Sequence, residues 1–338
     1  MTPRSTRPAR RPARWLLLAL TLVASLLAAA CGTTTEEPFA SNPTTDGGGG
    51  GGATTTAPSP DAACDAAAPE RSLAPEGPLP PAGQMPAGST MEAIAKRPDQ
   101  KLRAGVGADT LLFGFLNPKS GDIEGFDVEM ARLVARAIFG TDVGHLDLIP
   151  LQSSQRIPKL EAGDVDLVVK TMTINCDRWG KVNFSSVYYN SAQRLLVRAG
   201  SPIKGLADAI SSGATICAVS GTTSLDLLID EGAEVSEVGD WTDCLVEFQA
   251  GRVDGISTDD TILAGLSAQD PYAEIEGDPL SSEPYGIALP KGADDFTRFV
   301  NAVLEQARAP GGEWQVQYDQ WLAPTLGPST PPAASYRS

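Results

Sequence analysis

A single histidine, His145, occurs among the 338 residues. That excludes a histidine-built metal centre and leaves little room for a Ser–His–Asp nucleophile. Aromatic residues are sparse at 6%, against 42% apolar residues in all, so a globular core is available but light in rings. Positive charge is also scarce: 26 Lys plus Arg face 42 Asp plus Glu, for a net charge of −16. Arg4, Arg7, Arg10, Arg11 and Arg14 all precede Trp15, so the chain beyond them is more acidic still. Such a surface repels phosphate backbones and anionic lipid, which argues against nucleic acid or a bare membrane surface as partner.

Long hydrophobic runs are missing too. The apolar stretch Trp15–Ala30 is too short to span a bilayer comfortably. Basic residues before it and small residues after it give the layout of a secretory signal. The stretch ends LLAAAC, a lipobox-like sequence in which the thiol of Cys31 would take a diacylglycerol, although Ala28 stands where Leu is commonest. Read otherwise, this is an ordinary signal peptide cut nearby, with Cys31 incidental. Export places the four remaining cysteines in an oxidising compartment where they can pair. From Gly32 to about Ser89 the chain is rich in Thr, Pro, Gly, Ala and Ser, with an unbroken glycine run at Gly47–Gly52. It carries too little apolar surface to fold and reads as a flexible tether. The run is no phosphate loop, because neither a Lys-Ser/Thr pair nor a strand flanks it.

Beyond Met91 the pattern alternates. Gln100–Val106, Leu146–Leu151, Val165–Lys170, Thr215–Val219 and Val253–Ser257 read as strands. Asp127–Phe139 places Met130, Leu133, Val134, Ala137 and Ile138 on one helical face. Ser154 can cap a short helix closed by Gly163, and further helices fall at Ser224–Asp230 and Thr242–Ala250. Phe296, Phe299, Val300, Val303, Leu304 and Ala307 mark a long amphipathic helix. Alternating strands and helices imply an α/β fold with largely parallel sheets. A folded part of about 240 residues exceeds what one core usually manages, so two lobes are expected.

Three segments at strand ends can carry chemistry. In TMTINCDRWGKVNF, Thr171 and Thr173 leave a buried strand with Arg178 close behind. A planar guanidinium beside short donors suits a carboxylate. These residues read equally as a solvated arginine in a polar loop. SGTTS, Ser220–Ser224, has small residues that admit a ligand to the backbone and a helix N-terminus that favours an anion. It also reads as a plain N-cap. In STDDT, Asp259 can receive an ammonium group, and Asp260 suits a cap on the following helix. Adjacent strand residues point apart, so the two are no acid–base pair. Arginine, hydroxyls and an aspartate at strand ends together suit a zwitterion.

GFDVEMARLVA, TMTINCDRWGKVNFSSVYY, AVSGTTS, VDGISTDDTILAG and PYGIALPKG, taken together, resemble the extracellular amino-acid-binding proteins of ABC importers, solute-binding family 3. Within that family the likeness is to the actinobacterial GlnH-type lipoproteins, amino-acid sensors tied to the membrane protein GlnX and the kinase PknG. It runs from about residue 91 to 322. The resemblance implies a type II periplasmic-binding-protein fold with two crossover strands at the hinge. Its organisation would be a signal peptide over 1–30, a tether over 31–90, a first lobe from 91–195 and 283–322, a second lobe over 196–282, and a disordered tail over 323–338.

By motif, the resemblance implies that Arg178 holds the ligand α-carboxylate with Thr171 and Thr173, Thr223 adds donors from the opposite lobe, and Asp259 takes the α-ammonium. Arg156 sits where family members that bind acidic side chains place a second arginine; otherwise it is an exposed helix residue. Gly107 and Thr171 depart from the family, the first from an Asp of some glutamine binders, the second from a frequent Gly. Cys217 would pair with Cys244, as in this actinobacterial group, which leaves Cys64 for Cys176. The function implied is a lipid-anchored, monomeric receptor on the outer face of the cell membrane, for aspartate or glutamate first and asparagine or glutamine next. It would serve a membrane permease or a GlnX-like sensor. No cofactor, metal or catalytic residue is implied; a dehydratase-like enzyme on the same scaffold is the alternative. LLAAAC gives the first test: Cys31→Ser should release the protein into the medium or leave the precursor uncleaved. A processed variant that still partitions into detergent would rule out Cys31 as the anchor.

Overall fold

A computed structural model describes residues 64–337; the expected signal segment, Cys31 and the glycine run lie outside them. Two sheets are built from ten strands: β1 (Leu102–Val106), β2 (Leu146–Pro150), β3 (Leu167–Val169), β4 (Val182–Phe184), β5 (Tyr189–Arg198), β6 (Thr215–Val219), β7 (Glu234–Val238), β8 (Gly255–Asp259), β9 (Ala273–Tyr285) and β10 (Ala288–Pro290). The first sheet runs β2-β1-β3-β10-β4 and the second β7-β6-β8-β5-β9. In each, the central pairs are parallel and the strands arriving from the other lobe are antiparallel. Only β5 and β9 are long. They pair with each other from Tyr189↔Tyr285 to Arg198↔Ala273, with a register shift between Glu276 and Ser281.

Burial explains why short apolar runs became strands. On β3, Leu167 and Val169 enter one core cluster and Val168 another. On β6, Cys217 and Val219 face one cluster while Ile216 and Ala218 face the next. Period-two alternation with both faces apolar is what a helix-covered parallel strand requires. Covering the first sheet, the helix Phe126–Phe139 buries Phe126, Met130, Val134 and Ile138 and stops at Gly140, whose φ of 86° suits the left-handed cap. The helix Asp294–Arg308 buries Phe296, Phe299, Val300, Val303 and Leu304, the face expected from spacing. The turn expected to begin at Ser154 begins one step earlier in kind: Gln152 caps a 3-10 turn, Ser153–Gln155, that leads into the helix Arg156–Glu161.

Two expectations fail at the chain's ends. Within the stretch expected as tether, residues 64–89 are bound to the first lobe. Cys64 is joined to Cys176, and Ser72–Leu73 pairs in parallel with Tyr336–Arg337. Ser72 Oγ donates to the Phe184 carbonyl at 2.6 Å, and Trp179 Nε1 donates to the Pro69 carbonyl at 2.7 Å. Asn301 Nδ2 reaches both Ser72 Oγ and the Leu73 carbonyl. The stretch expected as a disordered tail holds a short helix, Ala323–Leu326, and the strand just named. Tyr336 donates to Glu305, Tyr318 to the Gly327 carbonyl, and the Arg337 guanidinium stacks 3.8 Å over Trp179. Composition misled here because a few apolar residues, Leu79, Met85 and Leu326 among them, pack on the first-lobe core, and distant residues supply the donors and acceptors that fasten the rest. The second disulfide joins Cys217 on β6 to Cys244 on the helix Trp241–Gln249.

Asn301 is fully buried, and its Oδ1 also accepts the Ser186 N–H at 2.7 Å. Asn301→Ala should therefore lower stability by about 2–4 kcal/mol, since each stranded buried polar group costs about 1–3 kcal/mol. Limited proteolysis should then cut within 65–75 in the variant before it cuts the wild type. Equal protection of that segment would show that the strap does not depend on Asn301.

Candidate ligand-binding site

Arg156, Thr171, Thr173, Arg178, Thr223 and Asp259, spread over more than 100 residues of chain, line one small, nearly closed cavity of about 10 Å³ between the lobes. The first four come from the ends of first-lobe elements and the last two from the ends of β6 and β8 in the second. Helix and strand ends converge there because all parallel strands of a sheet end on the same side. Ser153, Thr222, Ser224 and Trp241 share the walls.

Both arginines are buried, at 3% and 7% exposure, so the alternative reading of Arg156 as an exposed helix residue falls. Arg156 Nε donates to the Ser153 carbonyl, Nη1 to those of Lys170 and Thr171, and Nη2 across the cleft to Gly221 at 2.9 Å. Four backbone acceptors thus hold its guanidinium, which braces the pocket floor and leaves one N–H of Nη2 for anything else. Burial, with Arg178 close by, pulls its proton affinity down to about 9. Arg178 is placed by its own helix, Cys176–Lys181, whose Asn175 cap accepts the Arg178 N–H. Its Nη1 donates to Thr173 and its Nη2 to the same Gly221 carbonyl at 3.3 Å, so Nε and two further N–H bonds stay open. Burial lowers its pKa as well.

Thr171 adopts a φ of 35°, rare for a β-branched residue and costing about 1–3 kcal/mol. Asp127, at the start of the helix Phe126–Phe139, holds it there by accepting the Thr171 N–H at 2.9 Å, while Tyr188 donates to the other carboxylate oxygen. Desolvation lifts Asp127 to about 6. Thr223 opens the helix Thr223–Asp230, and Thr222 caps it by accepting the Leu225 N–H. Asp259, 4% exposed at the end of β8, accepts the Tyr285 hydroxyl at 2.5 Å. Burial, then the charge of Glu283, pushes it up to about 8. Asp260 was expected as a helix cap; instead its carboxylate takes the Ser191 hydroxyl, tying the helix Asp260–Ser267 to the hinge.

Sequence reasoning missed Glu283, Asp127, Tyr285 and the pair Lys170–Asp109. Lys170 Nζ, deeply buried, meets Asp109 Oδ1 at 2.9 Å, and Asp109 Oδ2 accepts the Trp241 N–H of the second lobe. With Gln152 Nε2 on Asp240, these contacts hold the lobes together at the cleft's rim. The signal that was available is the alternation Ser281, Glu283, Tyr285, which puts three polar-tipped side chains on one face of β9. His145, stacked on Phe139 and bonded to the Gln100 carbonyl, lies on the first lobe away from the pocket. Among the described residues no group of three His, Cys, Asp or Glu side chains is arranged to hold a metal ion.

The sequence over residues 102–324 matches the bacterial extracellular solute-binding proteins, family 3. The ABC transporter glutamine-binding protein GlnH of Bacillus subtilis (strain 168) is 36% identical over 235 residues, which cover 69% of this chain and 84% of that protein. Glutamate-binding protein GluB of Corynebacterium glutamicum is 32% identical, over 59% of this chain and 70% of that one. A crystal structure of a mutant of ArgBP from T. maritima superposes with a TM-score of 0.63 at 30% identity, covering 69% of this chain and 99% of that one. Both curated relatives are named as binding proteins.

Asp259 supplies a test. It faces Glu283, Asp260, Tyr285 and Arg156, and its raised pKa leaves it largely protonated at pH 7. A ligand ammonium favours the charged carboxylate, so binding at pH 7 should expel close to one proton, and affinity should weaken roughly tenfold per unit as pH falls below 8. Calorimetry in buffers of different ionisation enthalpy measures the proton count. A heat independent of buffer would rule out Asp259 as the ammonium acceptor.

Proposed function

The chain belongs to the bacterial extracellular solute-binding proteins, family 3, and is an extracytoplasmic amino-acid-binding protein of the ABC-importer type, and we propose that its ligand is a polar amino acid with a carboxylate or amide side chain. The single observation that supports this reading most is the pocket's chemistry: two buried arginines and a buried aspartate, on opposite lobes, around one small polar space. Arg178 has free N–H groups for a bidentate α-carboxylate, and the Thr223 end of a helix adds positive potential from the other side. Asp259 stands opposite for the α-ammonium. Binding is then coupled to closure, because the ligand's two charged ends engage different lobes.

Arg156 bears on the side chain. Its four backbone contacts make it a brace rather than a free reader of acidic groups. That puts glutamine and asparagine level with glutamate and aspartate in this reading, in keeping with relatives named for glutamine and for glutamate. The anchoring through Cys31 and delivery to a permease, or to a GlnX-type sensor of the PknG pathway, rest on the signal layout and the resemblance already described.

Thermal-shift screening with the twenty amino acids should pick out these four ligands and pass over the apolar ones. Arg178→Ala should abolish every such shift while the far-ultraviolet spectrum stays that of the wild type. Losing a buried bidentate ionic contact costs about 2–5 kcal/mol, enough to turn micromolar into millimolar binding. Calorimetry that found unchanged affinity in the variant would sink the assignment of Arg178.

A further inference from the structure

Glu283 is only 2% exposed, on β9 where that strand returns to the first lobe. Among the described residues its carboxylate accepts hydrogen bonds from hydroxyls only, with the Arg178 guanidinium near enough to act on it through charge without touching it. Ser281 Oγ donates to Oε1 at 2.5 Å; Thr173 Oγ1, from the first lobe, and Thr223 Oγ1, from the second, both donate to Oε2 at 2.5 and 2.8 Å. No lysine or arginine nitrogen lies within 4.0 Å of Glu283 or of Asp259 among the described residues. The two acids are close enough for the charge of one to raise the proton affinity of the other. The nearby cations are positioned by other groups: Arg156 is spread over four carbonyls, Arg178 is held by two with its open N–H bonds turned to no acid, and Lys170 is paired with Asp109.

A buried carboxylate without a counter-ion is strongly unfavourable, and two side by side more so. Resting on the receptor reading above, we propose that Glu283 is a second acceptor for the ligand's α-ammonium, joining Asp259 around it. Thr173 and Thr223, whose hydroxyls touch Glu283 and whose side chains line the pocket, place its Oε2 immediately behind the wall. An ammonium has three donors; Asp259 accepts one, and Glu283 Oε2 accepts a second once the Thr173 or Thr223 hydroxyl that now fills its lone pairs turns to the ligand instead. Because Glu283 sits on the hinge strand and is bonded from both lobes, the same ammonium draws the hinge and the two lobes onto one charge. The pocket thereby demands a cationic amino group rather than merely tolerating one, and it discriminates against carboxylic acids that lack it.

The experiment compares each amino acid with the same molecule stripped of its α-amino group. L-glutamine is set against glutaramic acid, and L-glutamate against glutaric acid, by calorimetry and competition on the whole chain, wild type and Glu283→Gln. Glutamine keeps the shape of Glu283 and removes its charge, with one end that can still accept a hydroxyl donor and one that now donates. The inference expects the variant to lose about tenfold or more in affinity for the amino acids, with the deaminated acids unchanged or bound more tightly. Glu283→Asp, which keeps the charge but shortens the reach, should fall in between and serves if the first variant unfolds. Equal losses for amino acids and deaminated acids would mean that Glu283 only orders Thr173 and Thr223, and would overturn the inference. So would unchanged binding throughout. If the wild type binds no amino acid at all, the receptor reading fails first; if it binds and Glu283→Gln binds as well, only the role of Glu283 fails.

Discussion

Two guanidinium groups of the first lobe meet on a single backbone carbonyl of the second, that of Gly221. Everything at the cleft follows from how closely the lobes must approach for this. Gly221 has a φ of 73°, and a Cβ there would come within 2.7 Å of Ser154 Cα, so only glycine fits. Buried cations need acceptors at short range, and a carbonyl is a weak one compared with a carboxylate. The arginines therefore stay poised, each partly satisfied and still attractive to an anion. A ligand carboxylate completes what the carbonyl begins.

Acidic groups obey the mirror-image rule. Asp109 has a lysine in contact and stays below the ordinary carboxylate range despite its burial, whereas Asp259 has no cation in contact and rises to about 8. Asp127 lies between, at about 6, with a hydroxyl and a backbone N–H as its partners. Burial raises all three, and the partner decides how much of that rise is cancelled. It also separates two roles: paired acids hold the lobes and loops in position, and the unpaired acids face the space where a ligand's ammonium would stand.

The strap of residues 64–89 ties into the same region. Cys176, its disulfide partner, is the first residue of the helix that carries Arg178, and Trp179 of that helix both donates to Pro69 and supports Arg337. The segment nearest the expected membrane anchor and the C-terminal residues are thus fastened around the loop that carries Arg178. Hydrogen bonds and a cross-link, more than apolar area, do the fastening, which is why a stretch so poor in large apolar residues is ordered.

Local chemistry was legible in the sequence. Strand and helix alternation follows from apolar period, and the strand-end threonines, SGTTS and the arginine after Thr173 stood out as small donors and a guanidinium at strand ends, although each alone read as well as a polar loop or an N-cap. The pairing of ends was not legible: the partners of Ser72 and Tyr336 are more than 200 residues apart, and no local period encodes such contacts. Nor was the division of labour between the arginines. Both are basic residues at the start of short helices, and only the tertiary structure puts one on four carbonyls and leaves the other partly free. Glu283 was hidden for the same reason. A glutamate on a mostly polar strand reads as solvated, and its burial is decided by the crossing of β5 and β9, which carries that strand between the lobes where water is excluded.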